Sequence, residues 1–527
     1  MNLCVICGNI SWERGWGKGE HRFRRVDLSG GRSLTRKVIE MTSSFDAAEM
    51  FSWIERMAGM GPRRPGSTAD RKNEDFLVEQ LRAGGVEAVR KEPIPITYWE
   101  AHNSVLELDE GDGFRPTNAH YIPYAAFTPE RGIEAPLVYA DPKRLIQGGD
   151  WKGKVVVTDI AFPPLDLSLL LKVSLGSYDP DGSLPEVKHP ATWVRLNWHL
   201  YRKASERGAA GFIGILSDQP GGSCRMFAPY GFKEQDIMDK PLPGFWVSRD
   251  DGPRLRDLAE SGAGRSRMTL TGVREEGITH NVVGEIPGRT DEIVVLSGHH
   301  DSPFDSPVED ASGCSVVLAL AKHFAGRQPE LNRRLVILFS AGHFYGSIGT
   351  RLFIKDHRED IVQKTVLEIS IEHIAKEAVE GQNGQLVPSG RPEATGIFLP
   401  MNRAMADAVL ESVEAHGVDR VLLLPPEGPL GEYPPTDGGD WYEAGVPVIN
   451  HISNPVYLLN AEDSLEWVAR DRLAKVAAAF ADIICKVDVM PRETIGSVES
   501  RSYQLKMKLL KHLVRAKTTR FGTRPVY

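Results

Sequence analysis

Four short apolar runs recur in the second half of this 527-residue chain, separated by segments long enough for helices. The runs cover residues 293–296, 335–339, 366–371 and 446–449, and the helix-length segments cover residues 314–324, 351–364, 402–416 and 465–487. Short buried strands that alternate with helices favour a largely parallel sheet with right-handed crossovers. We therefore predict an α/β fold with a mostly parallel central sheet and helices on both faces.

Polar side chains with metal-binding chemistry follow each of the four runs. In chain order they are His299, His300, Asp301, Glu309, Asp310, His343, Glu372, His373 and His451. A single histidine at a strand end is more often structural than a ligand. The carboxyl ends of parallel strands meet at one edge of an open sheet, where such folds bind their ligands. The repetition at four strand ends therefore predicts a metal site, since imidazoles and carboxylates bind divalent cations.

Several motifs around these residues resemble those of the co-catalytic zinc aminopeptidases, which are relatives of glutamate carboxypeptidase, the transferrin receptor and glutaminyl cyclase. His299-His300-Asp301-Ser302 resembles a His-x-Asp-Ser motif, and residues 309–313 resemble Asp-Asn-Ala-Ser-Gly. Residues 436–447 are similar to a third motif, and the resemblance extends over residues 45–488. It implies that His299 is a metal ligand, that Asp301 orients it, and that Glu309 or Asp310 supplies the bridging carboxylate.

The chain departs from the family pattern at three further positions. Gly342 and His343 occupy the place of a Glu-Glu pair, in which the first residue is the general base and the second a ligand. Glu372 replaces an aspartate, and Leu459 falls where the family has its last histidine ligand. The resemblance therefore implies that one metal site keeps its ligand types and that the other has lost a ligand.

From these departures we predict one divalent metal ion per chain, with Zn, Mn, Fe or Ni as candidates. The predicted ligands are His299, Glu309, His343 and Glu372. His451, on the strand before Leu459, is a candidate substitute for the lost histidine.

The lost general base leaves several candidates for the proton acceptor that hydrolysis requires. They are His343, Asp310, His373 and Tyr345. Tyr345 is also placed to donate a hydrogen bond to a developing oxyanion. In two further interpretations, the metal activates water without a base, or the chain does not hydrolyse peptides.

These residues predict a metal-dependent hydrolase of a C–N bond, similar to the aminopeptidases, with Asp301, Asp310 and Tyr345 as its catalytic side chains. One alternative is a hydrolase of a small amide, carbamate or aryl amine. A second is a non-catalytic binding protein derived from a hydrolase. Asp437 lies in a Gly-rich loop, where it either orients a ligand or caps a turn.

Changes of sequence texture predict four regions. Residues 1–40 are rich in Gly and Arg, and we expect disorder or an upstream extension there. Residues 45–57 predict an amphipathic helix with Ser43 or Ser44 as its N-cap. Residues 41–131 and 276–488 form the catalytic domain, and residues 132–275 resemble an inserted, β-rich protease-associated domain. Residues 489–527 are basic, with an amphipathic stripe that predicts a helix able to support homo-oligomers.

Composition excludes several classes of protein. A net charge of −8 gives no reason to expect nucleic-acid binding. No segment reaches the roughly 18 apolar residues of a membrane span, and the first 20 residues lack the features of a signal peptide. Five cysteines do not make a disulfide framework. We therefore predict a cytoplasmic protein whose partner is a small-molecule or peptide substrate.

Overall fold

The computed structural model describes residues 41–142, 149–192, 198–228, 241–326, 331–431 and 433–498. Residues 1–40 and residues 499–527 of the basic C-terminal segment lie outside these ranges, so the predicted disorder and the predicted oligomerisation helix are not addressed by it. The α-helices are α1 (Ala47–Ala58), α2 (Thr68–Ala83), α3 (Leu167–Leu170), α4 (Trp198–Glu206), α5 (Gly252–Glu260), α6 (Gly313–Ala325), α7 (Ile348–Asp356), α8 (Arg403–Ala415), α9 (Gly438–Glu443), α10 (Arg470–Val489) and α11 (Arg492–Ile495).

One hydrogen-bonded path of strands runs through the described chain. The strands are β1 (Glu87–Asp109), β2 (Phe114–Thr117), β3 (Ala119–Tyr121), β4 (Ile133–Tyr139), β5 (Val155–Ile160), β6 (Pro164–Asp166), β7 (Gly176–Tyr178), β8 (Lys188–Pro190), β9 (Gly211–Leu216), β10 (Gly244–Ser248), β11 (Arg265–Ile286), β12 (Ile293–His299), β13 (Arg334–Ser340), β14 (Thr365–Ile371), β15 (Lys376–Glu380), β16 (Leu386–Pro392), β17 (Thr395–Phe398), β18 (Val421–Leu424) and β19 (Val448–Ser453). Thirteen of them form the path β3-β10-β9-β5-β4-β11-β13-β12-β14-β19-β17-β18-β7, to which β1 is added by pairing with β11 and β2 by pairing with β1. The pairs β15-β16 and β6-β8 form two separate sheets.

The predicted α/β fold is confirmed at the centre of this sheet. Strands β13, β12, β14 and β19 are adjacent and parallel, and they correspond to the four apolar runs. Alternate residues of β12 enter different cores, Val294 and Leu296 on one face and Ile293 and Val295 on the other. A strand buried on both faces needs such a continuous apolar run.

Helices cover both faces, as the alternation predicts. Helices α1, α6, α8 and α10 contribute to the core on one side, and α7 and α9 contribute to the core on the other. Two local predictions differ from the structure. Helix α1 is capped by Asp46, whose carboxylate accepts from the amides of Ala48 and Glu49, and not by Ser43 or Ser44. Helix α7 ends at Asp356, well before the predicted residue 364.

Two long strands connect the central sheet to the region predicted as an insert. β1 and β11 pair antiparallel, and β11 pairs with β4 near its start and with β13 near its end. The short strands β4, β5, β9 and β10 are parallel to one another and lie where the recurrent apolar pieces of residues 132–275 predict strands. Helices α4 and α5 also belong to this region, which is therefore less purely β than expected. Its assignment as a protease-associated domain stays a prediction.

A segment of the same region reaches the opposite end of the sheet. Strand β7 pairs with β18 and forms the last strand of the sheet. The leucines of α3 pack on β17 and β18. The segment of residues 164–190 thereby covers the carboxyl edge of the sheet beyond β19. Within the described residues, no helix is both long enough and apolar enough to cross a membrane.

Candidate metal centre

Three buried side chains converge at the carboxyl edge of the sheet. Ligand atoms of His299, Glu309 and His373 all lie within 4.8 Å of one another. His299 Nε2 lies 3.1 Å from one carboxylate oxygen of Glu309, and His373 Nε2 contacts the other. Each of the three side chains is at most 3% exposed. This geometry, two imidazole nitrogens facing one carboxylate, is suited to holding a cation.

Local backbone conformation brings the three residues together. His299 is the last residue of β12, and Glu309 lies in the segment Pro307–Ser312 before α6. The carboxylate of Asp463 accepts from the amides of Val308 and Glu309, which fixes that segment. The next residue after it is Gly313, where an added Cβ would lie 2.2 Å from the carbonyl oxygen of Ile371. Only glycine therefore allows α6 to start this close to the end of β14.

His373 belongs to the cluster, although strict strand alternation would point its side chain to the face opposite that of Glu372. The alternation argument applies within a strand, but β14 ends at Ile371. His373 has a φ of 57°, in the left-handed region, so its side chain does not follow the alternation. His300, in contrast, behaves as alternation predicts. Its ring lies on Asp70 and on the carbonyl of His280, away from the cluster.

Backbone carbonyls fix the tautomer of both imidazoles. Nδ1 of His373 donates to the carbonyl of Ser453 at 2.8 Å, and Nδ1 of His299 donates to the carbonyl of Asp301 at 3.2 Å. When Nδ1 carries the proton, the lone pair of a neutral imidazole is on Nε2. Both lone pairs then point at Glu309. A carbonyl that holds the far nitrogen in this way is a common feature of metal-binding histidines.

The buried polar atoms of this cluster test whether a cation fits. Within the part of the chain that the structure describes, Asp310 Oδ2 and Glu372 Oε1 have no hydrogen-bond partner. The atoms His299 Nε2, His373 Nε2 and Glu309 Oε2 have only the imidazole–carboxylate contacts given above. Buried polar atoms without partners are costly, and a group of them that includes two imidazoles and three carboxyls needs protons or a cation. Burial lowers the pKa of His373, but the carboxylate of Glu309 raises it to about 10. The residues therefore fit a divalent metal ion.

Glu372 and Asp310 lie beside the cluster. Glu372 lines the same cavity, and burial raises its pKa. Asp310 accepts from the amides of Gly313 and His373 through Oδ1, and burial raises its pKa well above the ordinary range. The structure thus brings both candidate carboxylates, Glu309 and Asp310, to one place, with the imidazoles on Glu309.

His343 lies next to the cluster and is held by a different partner. Its Nδ1 donates to Oδ1 of Asp437 at 2.8 Å, and its ring stacks on His299 with 4.1 Å between centroids. Asp437 also accepts from the hydroxyls of Ser340 and Thr350. Burial raises the pKa of Asp437, but His343 outweighs this and holds it well below the ordinary range. Of the two interpretations of Asp437, the structure favours the one in which it orients a histidine.

Asp301 joins the two histidines. Its Oδ1 lies 3.6 Å from Nδ1 of His299 and accepts from the amide of His343, and its Oδ2 accepts from the amide of Phe344. Burial raises the pKa of Asp301, but His299 outweighs it and lowers that pKa. An ionised Asp301 therefore positions both the ring of His299 and the backbone of the turn that carries His343.

Three other residues singled out from the sequence are not part of this group. His451 points to Phe480 on α10, because alternation along β19 places it on the other face from the cavity. Burial lowers its pKa to about 3. Tyr345 packs edge-on against Tyr124 in the core that joins the two halves of the molecule. Leu459 is 1% exposed in that same core and brings no ligand atom.

A cavity of about 60 Å³ opens from this cluster between the sheet edge and the segment of residues 164–190. Glu309, His343, Glu372 and His373 line one part of it. The rest is largely apolar and includes Leu165, Leu167, Leu170, Phe398, Leu422 and Leu424. The arrangement provides a polar reaction site at the base of an apolar pocket, as in many small-molecule sites.

Parts of the chain are similar in sequence to known proteins. Residues 281–483 match the model of "Peptidase family M28". A probable leucine aminopeptidase 2 from Aspergillus oryzae is 28% identical over 132 residues, which cover 24% of this chain and 26% of that protein. The aligned part thus spans about a quarter of the curated relative.

Solved structures share the fold over most of the chain. A peptidase M28 precursor from Shewanella amazonensis superposes with a TM-score of 0.65 at 17% identity, over 87% of this chain and 97% of that one. A zinc aminopeptidase from Bacillus subtilis superposes with a TM-score of 0.60 at 16% identity, over 85% and 97%. Residues 281–483 are thus similar to peptidase family M28, and the chain shares its fold with the zinc aminopeptidase.

Proposed function

We propose that this chain hydrolyses the C–N bond of a peptide end or a small amide, with a single divalent metal ion held by His299, Glu309 and His373. The observation that carries the proposal is the convergence of two buried imidazole lone pairs on one buried carboxylate. Glu372, beside them in the cavity, is the candidate for a fourth ligand. The ligand set predicted from the sequence is thereby changed at one position, with His373 in place of His343.

One metal ion, and not two, is supported by the position of Leu459. The family resemblance assigns this position to the last histidine of a second metal site, and here it is a buried leucine. His451 does not replace it, because its ring packs against Phe480. His343, in the position of another ligand of that second site, donates Nδ1–H to Asp437. We therefore assign His343 a different role.

His343 is our candidate for the general base. The contact with Asp437 fixes the tautomer with the proton on Nδ1, so the basic nitrogen is Nε2, and His343 lines the cavity. An aspartate that holds a histidine in this way is the arrangement used for proton transfer in the Ser-His-Asp triad. Nε2 takes a proton from the attacking water and then gives it to the leaving nitrogen as the C–N bond breaks.

A divalent ion held by His299, Glu309 and His373 would supply the positive charge that polarises a carbonyl and lowers the pKa of water. The other steps belong to the chain itself. Asp463 fixes the backbone of Glu309, Asp301 positions the turn of His343, and Ser453 orients the ring of His373. The leucines of residues 165–170 exclude water from the cavity. His343 therefore takes over the role of general base, which the first residue of the Glu-Glu pair has in the family, and it is not a metal ligand.

Metal content and activity test the proposal together. We expect about one divalent ion per chain in the purified protein by elemental analysis, and two tightly bound ions would refute the single-site assignment. A panel of aminoacyl anilides, dipeptides and simple aryl amides, assayed with zinc, manganese, iron and nickel, tests the reaction. Activity that a chelator removes and the metal restores supports it. Specific ligand binding without turnover under any of these conditions would support a binding protein.

The same panel separates peptides from small amides. The small volume of the cavity, about 60 Å³, and its largely apolar lining favour compact substrates, which is the observation in support of a small-molecule amidase. If aryl amides without an amino-acid part are cleaved faster than aminoacyl anilides, the function is that of an amidase and not of an aminopeptidase. The metal site and the role of His343 are the same in both.

A further inference from the structure

A second group of ionisable side chains lies outside the metal cluster. Ligand atoms of His189, Glu377 and Glu393 lie within 4.8 Å of one another, and His189 and Glu393 line the cavity described above. The first two of these residues come from segments far apart in sequence, β8 in the covering segment and β15 beyond the metal cluster. None of the three has a role in the proposed reaction.

Glu377 is already neutralised, which argues against a second metal ion here. Both of its carboxylate oxygens accept from the guanidinium of Arg420, at 2.7 and 3.1 Å, and Nε of Arg391 donates to one of them at 3.0 Å. A metal ion would have to displace two arginines. The group that remains available for a ligand is therefore Glu393 with its neighbours.

Glu393 is buried beside His189, which carries a positive charge only when it is protonated. It is 2% exposed, and its Oε1 accepts from the amide of Ala394 at 2.9 Å and lies 3.5 Å from Nδ1 of His189. Its Oε2 has no hydrogen-bond partner among the residues that the structure describes. A buried carboxylate oxygen without a donor is costly unless a ligand supplies one.

Asn454 presents a second acceptor at the same end of the cavity. Its backbone carbonyl lies 3.3 Å from Nδ1 of His189, and its side-chain Nδ2 donates to the carbonyl of Pro190. This donation fixes the orientation of the amide, so that Oδ1 is the other atom, and Oδ1 is buried without a partner in the described ranges of the chain. Two unsatisfied acceptors, Glu393 Oε2 and Asn454 Oδ1, therefore belong to one wall of the cavity.

Apart from these acceptors and the metal cluster, the lining of the cavity is largely apolar. Side chains from both the covering segment and the sheet edge form this part, among them Leu165, Leu167, Val187, Phe398, Leu424 and Ile452. A ligand that satisfies both parts needs an aliphatic stem and a tip with several donors. A hydroxyl offers one donor, whereas a primary ammonium offers three and carries a positive charge opposite to that of the Glu393 carboxylate.

We propose that Glu393 and Asn454 determine specificity by binding the ammonium group at the end of an aliphatic substrate side chain, as in a lysyl residue. This rests on the proposed hydrolysis at the metal cluster, since it assigns the substrate of that reaction. The apolar wall holds the methylene stem, and Glu393 Oε2 and Asn454 Oδ1 accept from two of the three N–H groups. Burial raises the pKa of Glu393 to about 7, so a bound cation would also hold the carboxylate in its ionised form.

Binding of two small probes tests this without any need for turnover. The probes are n-hexylamine and n-hexanol, titrated into the purified full chain at pH 8 by calorimetry. Because charge-assisted hydrogen bonds are lost with hexanol, we expect hexylamine to bind at least about tenfold more tightly. Glu393→Gln should remove at least about tenfold of the hexylamine affinity, and Glu393→Leu should remove the preference altogether. If either variant fails to fold, the other still gives the answer.

The matched control is Glu186→Gln, which removes an exposed carboxylate from the covering segment without altering the cavity. It should bind both probes as the original chain does. Equal affinity for the two probes, or a preference that Glu393→Gln leaves unchanged, would overturn the proposal. The second result would instead indicate an amine bound at the metal ion, which does not depend on Glu393.

Hydrolysis supplies an independent comparison of lysyl and norleucyl anilides, whose side chains differ only by the terminal amine. We expect a higher kcat/KM for the lysyl substrate, and a fall of at least about tenfold in that ratio for Glu393→Gln. Hexylamine binding that depends on Glu393 but with no turnover of any amide would refute the proposed function and leave the ammonium site standing. Turnover without a preference for the lysyl substrate would refute the ammonium site and leave the proposed function standing.

Discussion

Replacement of His373 by alanine is expected to abolish tight metal binding, and it tests the assignment that departs most from the sequence. His373 supplies one of three ligand atoms, and its Nε2 contacts Glu309 directly. Changes in outer partners of metal ligands reduce affinity by about 10- to 100-fold. Loss of a direct ligand should therefore weaken binding by at least about 100-fold, or about 2.7 kcal/mol.

The effect is measurable as metal-induced stabilisation. A cation at about 1,000 times its Kd stabilises a folded protein by about 4.1 kcal/mol, and at about 10 times its Kd by about 1.4 kcal/mol. We therefore expect the increase in unfolding free energy on addition of zinc to fall by about 2.7 kcal/mol in His373→Ala, as measured by urea denaturation. The metal-free forms must be compared separately, because the variant also removes the contact that His373 makes with one oxygen of the buried Glu309 carboxylate.

His451→Ala is the matched control, since it removes a buried imidazole at the end of the neighbouring strand that does not face the cluster. It should keep the full metal-induced increase. If His373→Ala retains that increase while His451→Ala or His343→Ala loses it, the proposed ligand set is refuted.

Three more variants test other parts of the structure. Asp437→Asn should lower kcat by about 10²- to 10⁴-fold with unchanged metal content, because the amide no longer fixes the tautomer of His343; unchanged kcat would exclude the dyad. Gly313→Ala should destabilise the fold by at least about 2 kcal/mol in urea titrations, since its Cβ would collide with the carbonyl of Ile371. Glu377→Gln should cost about 3 kcal/mol at pH 7, because it leaves the buried Arg420 without its ion pair. Burial raises the pKa of Glu377, but Arg420 outweighs it and lowers that pKa to about 2. A carboxyl group whose pKa is lowered in the fold stabilises the fold at pH values above its ordinary pKa, and this stabilisation is lost as the pH falls towards 2. The difference in unfolding free energy between the original chain and Glu377→Gln should therefore narrow from pH 5 downwards. A gap that widens with acid would contradict the pairing.

Elements with continuous apolar character were predictable because their burial leaves a direct mark in the sequence. The strands β12, β13, β14 and β19 are buried on both faces, and the apolar runs lie within or overlap them. Helix ends were less predictable. The cap of α1 is Asp46 and not the serines just before it, since several residues in that stretch are able to cap a helix and only the packing of Trp53 and Ile54 selects the start.

Side chains that follow a strand were not predictable from alternation. His300 still obeys it and points to Asp70, whereas His373 does not, because its backbone is left-handed. Asp437 is far in sequence from His343, and Asp463 is far in sequence from Glu309. Their immediate neighbours in the chain do not distinguish either aspartate from a turn residue. A buried aspartate can be recognised as a partner only when the contact across the fold is known.

The sequence by itself determined the α/β class, a resemblance to the zinc aminopeptidases, and the chemistry available at the carboxyl edge, because strand periodicity, motifs and ligand types are local properties. The tertiary structure decided which imidazoles face Glu309, that His343 lies on Asp437, and that Glu393 faces an apolar cavity under the segment of residues 164–190. Those outcomes depend on backbone turns and on contacts between residues up to several hundred positions apart. Such contacts form only when the whole sheet has assembled.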